Sequence, residues 1–241
     1  MTIKKLYITQ FAYRLARILL PSLKYLLSMF RNTRELQYFP HWLVSNIIPN
    51  KSSLSDEVPW VTYDAIRWFK SYITTDMVVY EYGSGGSTLF FSQNANKVTS
   101  IEHNPEWFKK VDSILKQKNL LNCEYSLVVP EKSQFLSPLC DALPISTVVP
   151  DADFTRYVKS IHHIPDNSLD ILFVDGRARN CCIAYSRSKL RPGGCLILDN
   201  SERAEYEAGK QLLHSWPRLY FSGHGPYSCE QWQTTVWFCP K

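Results

Sequence analysis

The chain has 241 residues, of which 45% are apolar and 14% aromatic, so it suits one large domain with an extension and excludes an intrinsically disordered protein. Its net charge of +5 is unevenly distributed, because residues 1–34 carry seven basic side chains and no acidic one. The rest of the chain therefore sums to 5 − 7 = −2. A slightly acidic domain lacks the basic face that phosphate binding needs, and we expect no nucleic-acid partner.

Residues 1–34 have the pattern of basic amphipathic helices. Apolar side chains recur there at helical spacing, at Leu6, Phe11, Leu15, Ile18, Leu19, Leu23, Leu26, Leu27 and Phe30. Arg17 and Lys24 interrupt the run before it reaches the roughly 18 residues needed to span a bilayer. Arg14 and Arg17 also speak against a signal peptide. Two alternatives stay open: a helix that lies on an anionic membrane surface, and a helical cap packed on the domain or on a second subunit.

From residue 59 onward, predicted helices and strands alternate. The first half is predicted as helix Pro59–Ile73, strand Met77–Tyr82, a helix through Asn94, strand Lys97–Glu102, a helix from Pro105 to about Lys118, and strand Cys123–Val129. The second half is predicted as strand Leu169–Asp175, helix Asn180–Leu190, strand Cys195–Asp199, helix Ala204–Ser215, and strands Leu219–Ser222 and Thr234–Cys239. A helix stop at Arg191-Pro192-Gly193-Gly194 is expected before strand Cys195–Asp199.

This order predicts an α/β fold, with a Rossmann-like, doubly wound, mostly parallel seven-stranded sheet and a C-terminal antiparallel hairpin. Residues 1–58 are interpreted as a basic helical extension and residues 59–241 as the main domain. The interval Pro130–Asn167 is the least regular, with five prolines. We expect a loop to about Asp151 and then a helix over Phe154–Ile161, above the carboxyl ends of the strands.

The stretch Val78–Glu102 is the most informative part of the chain. An apolar run, a glycine turn, a short helix, a second apolar run and a terminal acid describe the first βαβ half of a nucleotide-binding domain. The turn Gly83-Ser84-Gly85-Gly86 lets backbone approach a ligand where a Cβ would clash. Glu102 closes the second strand, where a carboxylate can accept hydrogen bonds from both hydroxyls of a ribose.

The run Glu81-Tyr82-Gly83-Ser84-Gly85-Gly86-Ser87 resembles the first motif of class I S-adenosylmethionine (SAM) dependent methyltransferases, acid-x-Gly-x-Gly-x-Gly, with Ser87 at the last glycine position. The dinucleotide motif Gly-x-Gly-x-x-Gly would instead place Thr88 at its third glycine. In the methyltransferase family the acid at the position of Glu81 holds the methionine end of SAM, directly or through water. A carboxylate there would repel a pyrophosphate.

The resemblance covers about Pro59 to the C-terminus and includes a closing strand hairpin typical of that family. It implies that SAM is the cofactor. The implied cofactor-binding residues are Glu81, Tyr82, Gly83, Ser84, Gly85, Ser87, Thr88, Glu102, His103, Asp153 and Asp175. Asp153 is placed where family members bind the adenine amino group, and a helix N-cap is its alternative role.

Polar side chains also follow strands Leu169–Asp175 and Cys195–Asp199, and we expect Asp175, Asp199 and Asn200 to converge there. They resemble the metal site of catechol and caffeoyl-coenzyme-A type O-methyltransferases, which implies Mg²⁺ as a second cofactor. In the alternative, Arg177 pairs with Asp175 or Asp199, and Asp175 acts as a metal-free base.

His224, in a predicted turn between the last two strands, is a further candidate base, with a plain turn histidine as the alternative. The predicted catalytic residues are therefore Asp175, Asp199 and His224. Three aromatic side chains are candidates for an acceptor pocket or for core positions: Tyr157, Tyr227 and Trp232.

These observations predict a SAM-dependent methyltransferase that methylates a hydroxyl of a small molecule or saccharide. A nicotinamide-dependent oxidoreductase and an inactive methyltransferase-like binding module are the alternatives. Seven cysteines without a secretory signal predict reduced thiols in the cytoplasm. Peripheral binding to the inner membrane face through residues 1–34 and a homo-oligomer are further expectations.

Overall fold

The computed structural model of the protein describes residues 23–28, 33–132 and 152–241. Predictions for the N-terminal residues up to 22 and for the loop over 133–151 lie outside the described residues. Within the described part of the chain, no helix is long and apolar enough to cross a membrane.

A seven-stranded sheet forms the centre of the fold. Its strands are β1 (Val78–Tyr82), β2 (Lys97–Glu102), β3 (Cys123–Leu127), β6 (Leu169–Val174), β7 (Leu190–Leu198), β8 (Arg218–His224) and β9 (Gln231–Phe238). Two short strands, β4 (Glu131–Lys132) and β5 (Ala152–Asp153), pair separately. The order in the large sheet is β3-β2-β1-β6-β7-β9-β8, with β9 antiparallel to β7 and β8. This confirms the predicted doubly wound sheet with its closing hairpin.

Helices cover both faces of the sheet. They are α1 (Phe39–Ile47), α2 (Ser53–Asp56), α3 (Tyr63–Tyr72), α4 (Gly86–Asn94), α5 (Pro105–Gln117), α6 (Thr155–Lys159), α7 (Arg179–Ser186) and α8 (Glu207–Gln211). Residues alternate between two cores along each central strand: Leu172 and Val174 pack with α6 and α7, whereas Ile171 and Phe173 pack with α3 and α4. The central strands are therefore buried on both sides, which explains their continuous apolar runs.

Several element boundaries differ from the predictions. Helix α3 begins at Tyr63 rather than Pro59, because Thr62 is extended and its hydroxyl donates to Phe221 O at 3.2 Å. Strand β7 begins at Leu190, because Gly193 N–H donates to Cys239 O and Cys239 N–H donates to Gly194 O. The expected helix stop is thus part of a strand. The helix expected over 204–215 is a 3₁₀ turn followed by the five-residue α8.

The described part of the N-terminal extension packs on the domain. Residues 23–28 are helical, a 3₁₀ helix covers Thr33–Tyr38, and α1 follows. Tyr25 and Trp42 are fully buried, with ring centroids 4.7 Å apart, and Trp42 Nε1 donates to Ser228 O at 2.6 Å. These contacts favour the cap alternative for this part of the chain. The division at residue 58 stays a prediction.

The cysteines differ in state. Five of them have free thiols: Cys123, Cys182, Cys195, Cys229 and Cys239. Cys181 is disulfide-bonded, so the prediction of reduced thiols is wrong at that position.

Candidate active site

The glycine turn after β1 meets the turn after β6. Gly83 has a φ of +92°, and a Cβ there would lie 2.6 Å from Gly176 Cα. A Cβ on Gly176 would in turn lie 2.0 Å from the Tyr157 hydroxyl. Strand β1 lies between β2 and β6. Strands β2 and β3 are added on one side of it and β6 and β7 on the other, so the strand order reverses at β1. Open α/β sheets bind ligands at such a switch point, outside the carboxyl ends of the strands.

Glu81 is a buried carboxylate beneath this turn. Its Oε2 accepts hydrogen bonds from Thr88 Oγ1 at 2.6 Å and from Ser100 Oγ at 2.5 Å. Its Oε1 is buried and, within the described part of the chain, has no hydrogen-bond partner. Burial raises the pKa of Glu81 to about 7, although the hydroxyls of Ser100, Ser87 and Thr88 oppose that rise. A buried acceptor without a donor indicates a missing ligand or water.

Glu102 is the last residue of β2, and both of its carboxylate oxygens already accept hydrogen bonds from protein donors. Oε1 accepts from the backbone N–H groups of His103 and Asn104, both at 2.8 Å. Oε2 accepts from Ser84 N–H at 3.1 Å and from Ser84 Oγ at 2.8 Å. Burial raises the pKa of Glu102, but the donors of His103, Asn104 and Ser84 outweigh it and hold that pKa below its usual range. A ribose diol must therefore displace protein donors to reach this carboxylate.

Most of the other residues predicted to bind the cofactor lie around the same turn. Gly85 N–H donates to Thr88 Oγ1 at 2.9 Å, and Ser87 is buried in the first turn of α4. The His103 ring packs against Phe154. The Tyr82 side chain points away into the core, where its hydroxyl donates to Val158 O.

Asp153 lies at the start of α6, and its Oδ1 accepts from Thr155 N–H at 2.7 Å. The N-cap residue of α6 is Phe154, so Asp153 is not the N-cap named as the alternative, although its bond satisfies the first N–H of the helix. An adenine contact for Asp153 stays a prediction.

A second group of polar side chains follows β6 and β7. Asp175, Asp199 and Asn200 line one cavity of about 490 Å³, so the structure brings them together as predicted. Arg179 was missed by the sequence argument: its guanidinium contacts Asp175 Oδ1 at 2.9 Å and donates to the backbone oxygens of Asp175, Gly176 and Asp199. The sequence predicts Arg177 as the partner instead, because the turn between Asp175 and the start of α7 at Arg179 leaves no periodic signal.

The two carboxylates of this group differ in exposure: Asp199 is buried, whereas the Asp175 side chain is 26% exposed. Burial raises the pKa of Asp175 and of Asp199; the negative charge of Asp175 adds to the rise at Asp199, and Arg179 opposes both shifts. Asp199 Oδ1 also accepts from Trp232 Nε1 at 2.9 Å and from Thr234 Oγ1 at 2.6 Å. A cavity-lining carboxyl group with a raised pKa is a candidate general base.

The donor set does not fit Mg²⁺. Arg179 already pairs with Asp175 Oδ1, and the two donors from β9 already bond to Asp199 Oδ1, so one oxygen of each carboxylate is engaged by the protein. The described ranges contain no group of three or more His, Cys, Asp or Glu residues that could hold a metal ion. The predicted Mg²⁺ site is therefore not supported, and we derive no step through a metal.

His224 is not part of the cavity that holds Asp175. It is the last residue of β8, it is buried, and its Nδ1 is paired with Glu35 Oε2. Its Nε2 lies 3.5 Å from Ser28 Oγ, and its ring contacts Tyr25 at 4.1 Å between centroids. His224 thus anchors the N-terminal extension, and neither the predicted turn position nor a place beside Asp175 is observed.

No family model and no curated protein matches the chain. Solved structures do match. An rRNA methylase from Streptococcus thermophilus gives a TM-score of 0.51 at 11% identity, over 73% of this chain and 93% of that chain. A candidate O-methyltransferase from Klebsiella pneumoniae gives 0.52 at 14% identity, over 83% and 96%. A candidate methyltransferase from Streptococcus mutans, solved with S-adenosylhomocysteine (SAH), gives 0.50 at 11% identity, over 71% and 94%.

The chain has the class I SAM-dependent methyltransferase fold. Sequence identities this low establish a shared fold but do not establish a shared reaction.

Three of the residues lining the cavity that contains Asp175 were missed by the sequence argument: Trp60, Arg203 and Glu230. They lie before α3, after β7 and before β9, in connections without a motif. Of the aromatic candidates, Trp232 lines the cavity, Tyr157 is in the core, and Tyr227 donates its hydroxyl to Asp56.

Proposed function

We propose that the protein is a SAM-dependent methyltransferase that methylates a hydroxyl group of a small molecule or saccharide. The observation that carries the proposal is the pair of features at the switch point. Glu81 presents a buried, unpartnered oxygen beneath the glycine turn, and the Asp175 cavity adjoins that turn through the Gly83–Gly176 contact.

The residues present fit this cofactor. Glu81 Oε1 would accept from the ammonium of the methionine moiety, which would supply the donor that the buried oxygen lacks. Gly83 lets that moiety approach the backbone, and Glu102 would hold the ribose hydroxyls once Ser84 releases it. The cofactor supplies an electrophilic methyl group on a positively charged sulfur.

Asp175 is the proposed base. It lines the cavity, and burial raises the pKa of its carboxyl, which makes it a stronger base than an ordinary aspartate. The acceptor oxygen forms a bond to the methyl carbon, the carbon–sulfur bond breaks with its electron pair going to sulfur, and the hydroxyl proton passes to Asp175. Arg179 would hold Asp175 in place and stabilise its ionised form before transfer.

The cavity walls suit a hydroxylated acceptor. Trp60, which is 50% exposed, offers an aromatic face, and the polar groups of Asn200, Gln231 and Glu230 can exchange hydrogen bonds with hydroxyls. A volume of about 490 Å³ lies within the usual range for small-molecule sites. The lining has four acidic side chains and two arginines, so a neutral polyhydroxylated ring fits it better than an anion.

The test is transfer of a labelled methyl group from SAM to a panel of saccharides and phenols, with EDTA present. We expect an alkali-stable methyl ether as product, because esters would hydrolyse. Asp175→Asn should abolish transfer while SAH still binds, and Asp166→Asn, at an exposed ion pair, should have no effect. Folded protein that binds SAH but methylates no acceptor would be an inactive binding module.

A further inference from the structure

The helical residues 23–28 turn three leucines towards solvent. Leu23 is 53% exposed, Leu26 37% and Leu27 56%. Their spacing of three and four residues puts them on one face of the helix. Tyr25, on the opposite face, is fully buried against Trp42 and His224. The helix is therefore fixed to the domain by Tyr25 and leaves its leucine face uncovered.

Charge indicates what would cover this face. Residues 1–34 have seven basic side chains and no acidic one, and the leucine spacing continues upstream in the sequence through Leu15 and Leu19. An apolar helical face flanked by lysine and arginine is the pattern of helices that lie in the interface of an anionic membrane. Electrostatic attraction and leucine burial then act together.

The same helix adjoins the proposed acceptor site. Lys24 Nζ lies 3.0 Å from Glu230 Oε1, and Glu230 lines the cavity that contains Asp175. Ser28 lines a second cavity of about 360 Å³, which shares Glu202, Gln231 and Trp232 with the first. A surface that docks through this helix would therefore lie near the rim of the acceptor cavity.

We propose that Leu23, Leu26 and Leu27 form a docking surface for an anionic lipid bilayer, and that the acceptor is carried on a lipid at that surface. The second clause rests on the proposed methyltransferase function, whereas the first does not. Docking would hold the catalytic domain beside a membrane-anchored hydroxyl compound and would raise its local concentration at the cavity.

The experiment is co-sedimentation of the full chain with vesicles of pure phosphatidylcholine and with vesicles that contain 30% phosphatidylglycerol. We expect binding to the anionic vesicles only, weakened by added salt. The double variant Leu23→Glu/Leu27→Glu should lower the partition coefficient at least about tenfold, because it removes apolar area and adds repulsion. Leu121→Glu is the matched control, because Leu121 is 85% exposed elsewhere on the domain. This substitution should leave vesicle binding unchanged.

Two further measurements separate the outcomes. SAH affinity and melting temperature should be unchanged in the double variant, because neither leucine contacts the core. A truncation through residue 34 would be a poorer test, since it removes the buried Tyr25. Equal vesicle binding by wild type and double variant would overturn the proposal, as would absence of wild-type binding. Self-association in sedimentation velocity that the double variant abolishes would also overturn it, because a second copy would then cover the face.

Discussion

Gly83 and Gly176 pack backbone against backbone at the centre of the sheet. A Cβ on Gly83 would lie 2.6 Å from Gly176 Cα and 2.7 Å from Gly176 N. The contact joins the turn that would cradle the cofactor to the turn that carries Asp175. Because the two turns are in backbone contact, a shift of one turn would displace the other. We therefore expect this contact to link cofactor binding to the position of the proposed base.

Gly83→Ala should destabilise the protein by about 2–4 kcal/mol, because it adds both left-handed strain and a backbone clash. Gly193→Ala is the matched control, with a φ of +82° and no atom within 4 Å of the added Cβ. It should cost only the strain, about 1–2 kcal/mol. Urea unfolding of the two variants measures the difference. Equal losses would mean that the Gly83–Gly176 contact is not close.

Arg179→Ala should destabilise the protein by about 2–4 kcal/mol at pH 8, because the buried Asp199 and the partly exposed Asp175 lose their counter-charge. The loss should be smaller at pH 5. The freed carboxyl groups, whose folded pKa values are raised, take up protons there and the buried charge disappears. Arg177→Ala should change stability by less than about 0.5 kcal/mol. Urea titrations at both pH values provide the test, and a pH-independent loss would show that packing dominates.

The sheet, the glycine turn and the acidic residues at strand ends could be predicted from the sequence, because apolar periodicity and strand termini are local properties. Glu81, Glu102, Asp175 and Asp199 lie at those termini as expected. Arg179 was missed because Arg177 and Arg179, two and four positions after Asp175, are equivalent as sequence neighbours of that acid. The difference arises from the turn between Asp175 and the helix, which begins at Arg179 and not at Asn180.

The role of His224 could not be read from sequence for a different reason. Its partner Glu35 is 189 positions away, and the pair forms only when the extension packs on β8. Trp60 and Glu230 belong to connecting segments, whose position depends on the whole fold rather than on their own residues. Long-range pairing of this kind leaves no periodic signal.

Glu81→Gln should weaken SAH binding at least about tenfold at pH 8, because the buried carboxylate can no longer pair with the amino-acid ammonium. Wild-type SAH affinity should rise about tenfold from pH 6 to pH 8, since Glu81, with a pKa of about 7, loses its proton in that window. The variant should lose this pH dependence. Isothermal titration at three pH values measures both effects. A parallel profile in the variant would remove Glu81 from the cofactor site.

Ser84→Ala should tighten SAH binding by about three- to tenfold, because Glu102 Oε2 loses an internal donor that competes with the ribose. In the wild type, the Ser84 hydroxyl would turn to Tyr125 Oη, which lies 2.7 Å away. Ser92→Ala is the control, since the Ser92 hydroxyl donates to Thr88 O within α4 rather than to Glu102. Weaker binding in Ser84→Ala would mean that the hydroxyl contacts the cofactor itself.

The most direct test of the account is calorimetric titration of the wild-type protein and Glu102→Ala with SAH, and with NADH as the competing nucleotide. We predict micromolar binding of SAH, no binding of NADH, and a loss of about 2–3 kcal/mol in SAH affinity for the variant, since Glu102 holds the ribose hydroxyls. Binding of NADH in place of SAH would contradict the assignment of the cofactor, and unchanged SAH affinity in Glu102→Ala would contradict the placement of the ribose.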